Sequence, residues 1–130
     1  MEGGGQQWLT GRRLIFAVVT LIVVAIGWWL SAYPRGVIAA WIDSARGHHE
    51  IKVYGLPAPW RSEYARLVYE RYGVEINPVA GCVVSQELVW YVDGYNSVAR
   101  QRILARHGKD IFAECTKEAR ADFEQAQPEE

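Results

Sequence analysis

The chain has 130 residues, half of them apolar, with 14 Lys and Arg against 15 Asp and Glu. Beyond residue 49 the balance is 10 basic to 13 acidic, a mildly acidic segment without a basic stripe, which excludes nucleic acid as a partner and makes that segment a poor match for anionic headgroups. About eighty residues from Glu50 onward suffice for one small domain and not for two.

Residues 1–13 form a short tail that carries Gly3, Gly4 and Gly5 and ends on Arg12 and Arg13. Low complexity predicts disorder at this start. From Leu14 to Leu30 the chain is apolar and uncharged. At ~1.5 Å per residue that run covers roughly 26 Å, and with Ser31, Ala32 and Tyr33 it reaches the thickness of bilayer hydrocarbon. A transmembrane helix over 14–33 is expected. A cleaved signal fits less well, because Trp28, Trp29 and Pro34 stand where small residues should precede a cut. Arg12 and Arg13 abut one end of the run, whereas Arg35 and Arg46 are spread out beyond the other. The positive-inside tendency places the N-terminus in the cytoplasm and the rest outside it, in the periplasm of a bacterium.

Residues 34–49 join anchor and domain. Val37 to Ile42 is an apolar patch between Gly36 and Gly47, consistent with a short helix at the membrane surface that sets Trp41 near the headgroups, or with an irregular linker.

The domain, 50–125, reads as α+β. Ile51 to Tyr54 alternates and stops at Gly55, predicting a strand. Trp60, Tyr64, Leu67, Val68 and Tyr72 recur at helical spacing, with Gly73 as a left-handed stop. Val74-Glu75-Ile76 alternates again until Asn77-Pro78, giving strand, helix, strand with a connection long enough for parallel pairing. Ser85 caps a long helix whose apolar face runs from Leu88 to Ile103 and which ends at Gly108. Asp93-Gly94 also suits a hairpin turn, but the helical phase continues through it. Asp110 caps a last helix with Ile111, Phe112, Cys115, Ala119 and Phe123 on one face, completing an αα-hairpin before a disordered tail at 126–130.

On the long helix Trp90, Gly94, Ser97, Gln101 and Leu104 form a second stripe, small residues between large ones, shaped to receive another backbone closely. It is the candidate partner-binding surface, with packing inside the domain as the alternative. Cys82 and Cys115 are candidates for one disulfide, worth roughly 3 kcal/mol in a small extracytoplasmic domain, or are two separate thiols with Cys115 on an apolar face.

Enzymatic chemistry finds little support. Cys82 lies close to a capped helix start, but His107 is a helix length away, so a thiol enzyme or redox protein using Cys82 is the second function class. His48-His49-Glu50 lacks a second ligand pair at zinc-like spacing, and no metal and no cofactor is expected. A small-ligand sensor with a pocket beside Val74 to Val84 is a third possibility. The leading expectation is a single-pass membrane protein whose small domain binds a protein partner at or near the bilayer, as an accessory subunit, assembly factor or inhibitor would.

Overall fold

A computed structural model describes residues 4–127, with side chains from 11 onward. Of the ends expected to be disordered, Gly3 and 128–130 lie outside the described residues, whereas Gly4, Gly5 and Ala126 are helical. Five helices and two strands follow one another as α1 (Gly4–Leu30), α2 (Ala32–Ala45), β1 (Glu50–Tyr54), α3 (Arg61–Tyr72), β2 (Glu75–Ala80), α4 (Gln86–His107) and α5 (Ile111–Ala126). The protein is therefore mixed α and β. It separates into two units, one ending at Ser31 and one beginning at Ala32.

The first unit is α1. Its stretch Gly11–Leu30 is long and apolar enough to cross a membrane or to act as a signal sequence. Leu14, Leu21 and Val24 are among its exposed side chains, so no protein core accounts for the apolar run.

In the second unit β1 and β2 pair in parallel, with Glu50 opposite Glu75 and Ile51 opposite Ile76. α3 makes the crossover, as the strand, helix, strand spacing requires. Three local signals hold where the chain chemistry places them. Ser85 accepts a hydrogen bond from the Leu88 amide at 3.2 Å, Asp110 accepts from Phe112 and Ala113, and Gly73 and Gly108 end their helices at φ 66° and 68°. One feature differs from the sequence reading: Asn77-Pro78 does not stop the second strand, which continues to Ala80. α4 runs unbroken through Asp93-Gly94, as the helical phase of its apolar residues requires, and the alternative hairpin turn does not form.

The core gathers Ile51, Leu67, Val68, Val74, Tyr95, Ala99, Ile103, Ile111, Phe112 and Cys115 from every element of this unit except α2 and β2, and α2 adds Ala40. The close backbone neighbour of α4 is α2, and that of α5 is α3. Arg71 at the end of α3 donates to Glu118 of α5 at 2.6 Å, and Tyr72 donates to Glu114 at 2.9 Å. On the side of β1 away from β2, Asn96 of α4 behaves like a piece of strand. Its side-chain oxygen accepts from the Lys52 amide at 3.0 Å and its nitrogen donates to the Lys52 carbonyl at 2.7 Å.

α2 buries Ala32, Gly36 and Ala40, a face of small residues that lets the two helices touch backbone to backbone. A methyl group on Gly36 would stand 2.8 Å from the Tyr95 nitrogen and closer still to the Tyr91 carbonyl oxygen. One on Gly94 would stand 3.0 Å from the Tyr33 carbonyl carbon. Contacts advance together along both helices, from Gly36 beside Tyr91 to Trp41 beneath the Arg102 guanidinium at 3.6 Å.

Replacing a helical glycine by alanine ordinarily stabilises by about 1 kcal/mol. Gly36→Ala and Gly94→Ala are expected to do the opposite, because overpacking against backbone costs about 1–3 kcal/mol. Each should lower the melting temperature by several degrees, while Gly81→Ala, with open space around it, leaves it unchanged. A higher melting temperature for Gly36→Ala, followed by circular dichroism of the full chain in detergent, would contradict the close contact.

Candidate functional site

A cleft of about 460 Å³ lies between one face of the sheet and the start of α3. Val53, Ile76 and Pro78 form its floor, and Pro57, Pro59 and Ala65 contribute to its walls. Its shape follows from the chain: Pro57 and Pro59 stiffen the segment after β1, so α3 starts only at Arg61 and leaves the sheet uncovered there. Arg61 is the one charged lining residue and Ser62 the one hydroxyl. Leu56 beside it is 76 % exposed. A smaller concavity next to it adds Trp60, Tyr64 and Thr116. An apolar floor with a single cation at the rim can hold an apolar group beside a negative one. Nothing in it resembles a nucleophile with a base.

Polar chemistry collects at the other end of the strands. Glu50 is 6 % exposed and is the buried charge of the core. Its carboxylate is paired with the Lys52 ammonium, accepts from Asn77 at 3.2 Å and lies 3.2 Å from His48. Burial alone would push its carboxyl up, but the hydrogen bonds from Lys52, His48 and Asn77 outweigh it and hold the carboxyl below its ordinary value. Lys52 in turn sits 4.3 Å over the Tyr95 ring, and the Tyr95 hydroxyl donates to Asp43 of α2 at 2.8 Å. Burial and that bond to Asp43 push the Tyr95 hydroxyl far above its usual range. The network thus ties α2, β1, β2 and α4 together.

Parallel register also brings Glu75 beside Glu50, and donor atoms of His48, Glu50 and Glu75 lie within 4.8 Å of one another. These three are the residues that could hold a metal ion. The adjacent histidines do diverge: His49 meets Arg106 at 2.6 Å instead. Glu75 was not readable as a neighbour of Glu50 without the strand register. The Lys52 ammonium offsets the charge of the buried Glu50 carboxylate, and Glu75 is the exposed second acid of the group.

Of the second stripe of α4, Gly94 and Ser97 meet α2. Gly94 is buried against Tyr33, and Ser97 donates to the Gly94 carbonyl at 2.7 Å. Trp90 is half-buried, Gln101 exposed, and Leu104 partly buried against the core. The close backbone this stripe receives is that of α2 in the same chain. Cys82 and Cys115 are both free, contrary to the expected bridge. The reason is placement: Cys82 is exposed in the segment after β2, whereas Cys115 is fully buried on the inner face of α5, where burial pushes its thiol up. Cys82 precedes the start of α4 and His107 is its last residue, with the 22-residue helix, roughly 33 Å long, running between them. His107 packs edge-on against Tyr72 at 5.0 Å.

Comparison with protein-family models, curated proteins and solved structures finds no match to this chain. Its functional reading rests on its own geometry.

Because the Glu50 carboxyl is held below its ordinary value of 4.5, its stabilising contribution is complete above that pH and is lost as pH falls through the folded value. Glu63, Glu114 and Glu118 are also lowered but lie at the surface, where solvent screens them. Glu50→Gln leaves the Lys52 ammonium without a counter-charge and should cost about 3 kcal/mol at pH 7. It should also flatten the fall in melting temperature below pH 4.5. Parallel acid limbs for the two proteins would show that Glu50 does not carry the effect.

Proposed function

We propose that this chain is a single-pass membrane protein, with its N-terminus in the cytoplasm and the unit from Ala32 onward outside it, and that this unit binds a protein partner at or near the bilayer without catalysing a reaction. The anchor is supported by the exposed apolar run of α1, and its direction by Arg12 and Arg13 at one end. The observation that carries the binding role is the cleft over Val53, Ile76 and Pro78. It is apolar and open, has Arg61 in its lining, and adjoins the smaller concavity lined by the exposed Leu56. An apolar side chain of a partner, followed or preceded by an acidic residue, fits that combination. In this reading Trp90, Gly94, Ser97, Gln101 and Leu104 serve the partner site indirectly, by seating α2, and the contact surface is the cleft.

Tethering raises the effective concentration of the unit toward other membrane proteins. A modest cleft then suffices, because the second encounter takes place in two dimensions.

Ser62 is exposed and lines the cleft, so Ser62→Trp should fill it without disturbing the core. Arg61→Glu reverses the charge at the rim. Each is expected to reduce capture of the crosslinked partner from native membranes by about tenfold, a loss of about 1.4 kcal/mol, with the melting temperature unchanged. Equal capture by both variants and the unaltered chain would remove the cleft as the contact surface.

A further inference from the structure

The outward face of α2 stays largely exposed in the fold described above. Ala32, Gly36 and Ala40 turn inward to α4, while Ile38, Trp41 and Ile42, at spacings of three and four, are 58 %, 54 % and 44 % exposed. Three bulky apolar side chains in one helical stripe are a costly surface to leave in water, roughly 1.5–3 kcal/mol for each that could be fully covered. The helix therefore has two apolar faces of different build: small residues that allow close helix packing, and large ones that stay exposed, with Trp41 covered on one ring face by the Arg102 guanidinium.

Charge identifies the covering medium. The single acid of α2, Asp43, accepts from the Tyr95 hydroxyl and is thereby committed to the interior. On the outer side the Arg102 guanidinium lies 3.6 Å over the Trp41 ring, and Arg46 is exposed just past the helix end. Arg35 is engaged with Glu87. The second unit is acidic as a whole, but this stripe is apolar, contains a tryptophan, and is bordered by cations. That is the composition of a helix lying at the headgroup boundary, with apolar side chains below and guanidinium groups at phosphate level. One residue, Ser31, separates α2 from the apolar run of α1. At ~1.5 Å per residue the whole of α2 is only about 21 Å long, so the chain itself keeps the stripe close to a membrane that α1 crosses.

We infer that Ile38, Trp41 and Ile42 insert into the headgroup and acyl boundary of the bilayer, with Arg102 and Arg46 facing anionic phosphates. α2 is then a two-sided adaptor, its small face holding α4 and its bulky face holding lipid. This inference rests on the reading that α1 spans the membrane, and the test separates the two.

The experiment uses the full chain in nanodiscs of mixed phosphatidylcholine and phosphatidylglycerol, with Cys82→Ser as background and Cys115 protected by burial. A nitroxide is placed in turn at Val23→Cys in α1, at Ile38→Cys and Ile42→Cys in α2, and at Lys117→Cys on the exposed side of α5. Collision with dissolved oxygen, which partitions into lipid, is compared with collision with a water-soluble nickel chelate. The expected result is an oxygen-to-nickel ratio at 38 and 42 severalfold above that at 117, approaching that at 23, and falling when phosphatidylglycerol is omitted. Water-like ratios at 38 and 42 with a lipid-like ratio at 23 would overturn the docking while leaving the anchor in place. Protection of 38 and 42 from both reagents would mean that protein covers the stripe, and would also overturn it. A water-like ratio at 23 would defeat the spanning reading, and the docking with it.

Discussion

The approach of α2 to α4 through Gly36 and Gly94 is the constraint on which the second unit depends. Because both positions lack a side chain, carbonyl groups of one helix lie against the backbone of the other, and the pair acts as one thick element. That proximity brings Asp43 within reach of Tyr95, and Tyr95 in turn supports Lys52 over its ring. Lys52 neutralises Glu50, which anchors the start of β1. A gap of even one methyl group at Gly36 would be transmitted along this series, since each member is held by the next. Small residues thus position the buried charges.

The consequence for function is a division of labour among the three helices around the sheet. α4 supplies the rigid spine and covers β1. α2 uses one side on that spine and leaves the other available. α3 begins late, after Pro57 and Pro59, and so leaves part of the sheet face open as the cleft. The outer stripe of α2 and the cleft are both places where an element's apolar side exceeds what its neighbours cover.

Features set by a few adjacent residues were legible in the chain. Ser85 and Asp110 as caps, Gly73 and Gly108 as stops, and the parallel strand, helix, strand order all follow from local chemistry that tertiary packing did not override. What was not legible depends on distant partners. The inner face of α2 is Ala32, Gly36 and Ala40, too weakly apolar to announce a packing surface, so the segment read equally as a linker. Pro78 reads as a stop, yet a strand with one open side tolerates it. The bridge between Cys82 and Cys115 failed because spacing says nothing of side-chain direction, and one thiol turns in while the other turns out. The cleft has no motif at all, since it is a gap between a proline-stiffened loop and a helix start. Glu50 beside Glu75 became visible only through the register of the two strands.

The amide of Asn96 has one more implication. By satisfying both backbone groups of Lys52, it occupies the middle of the outer edge of β1, and Pro78 deprives β2 of a donor along its own length. A two-stranded sheet would otherwise invite neighbours to add to it. With a side chain bonded to one edge and an imino acid in the other, this sheet offers less free backbone to a neighbour's strand.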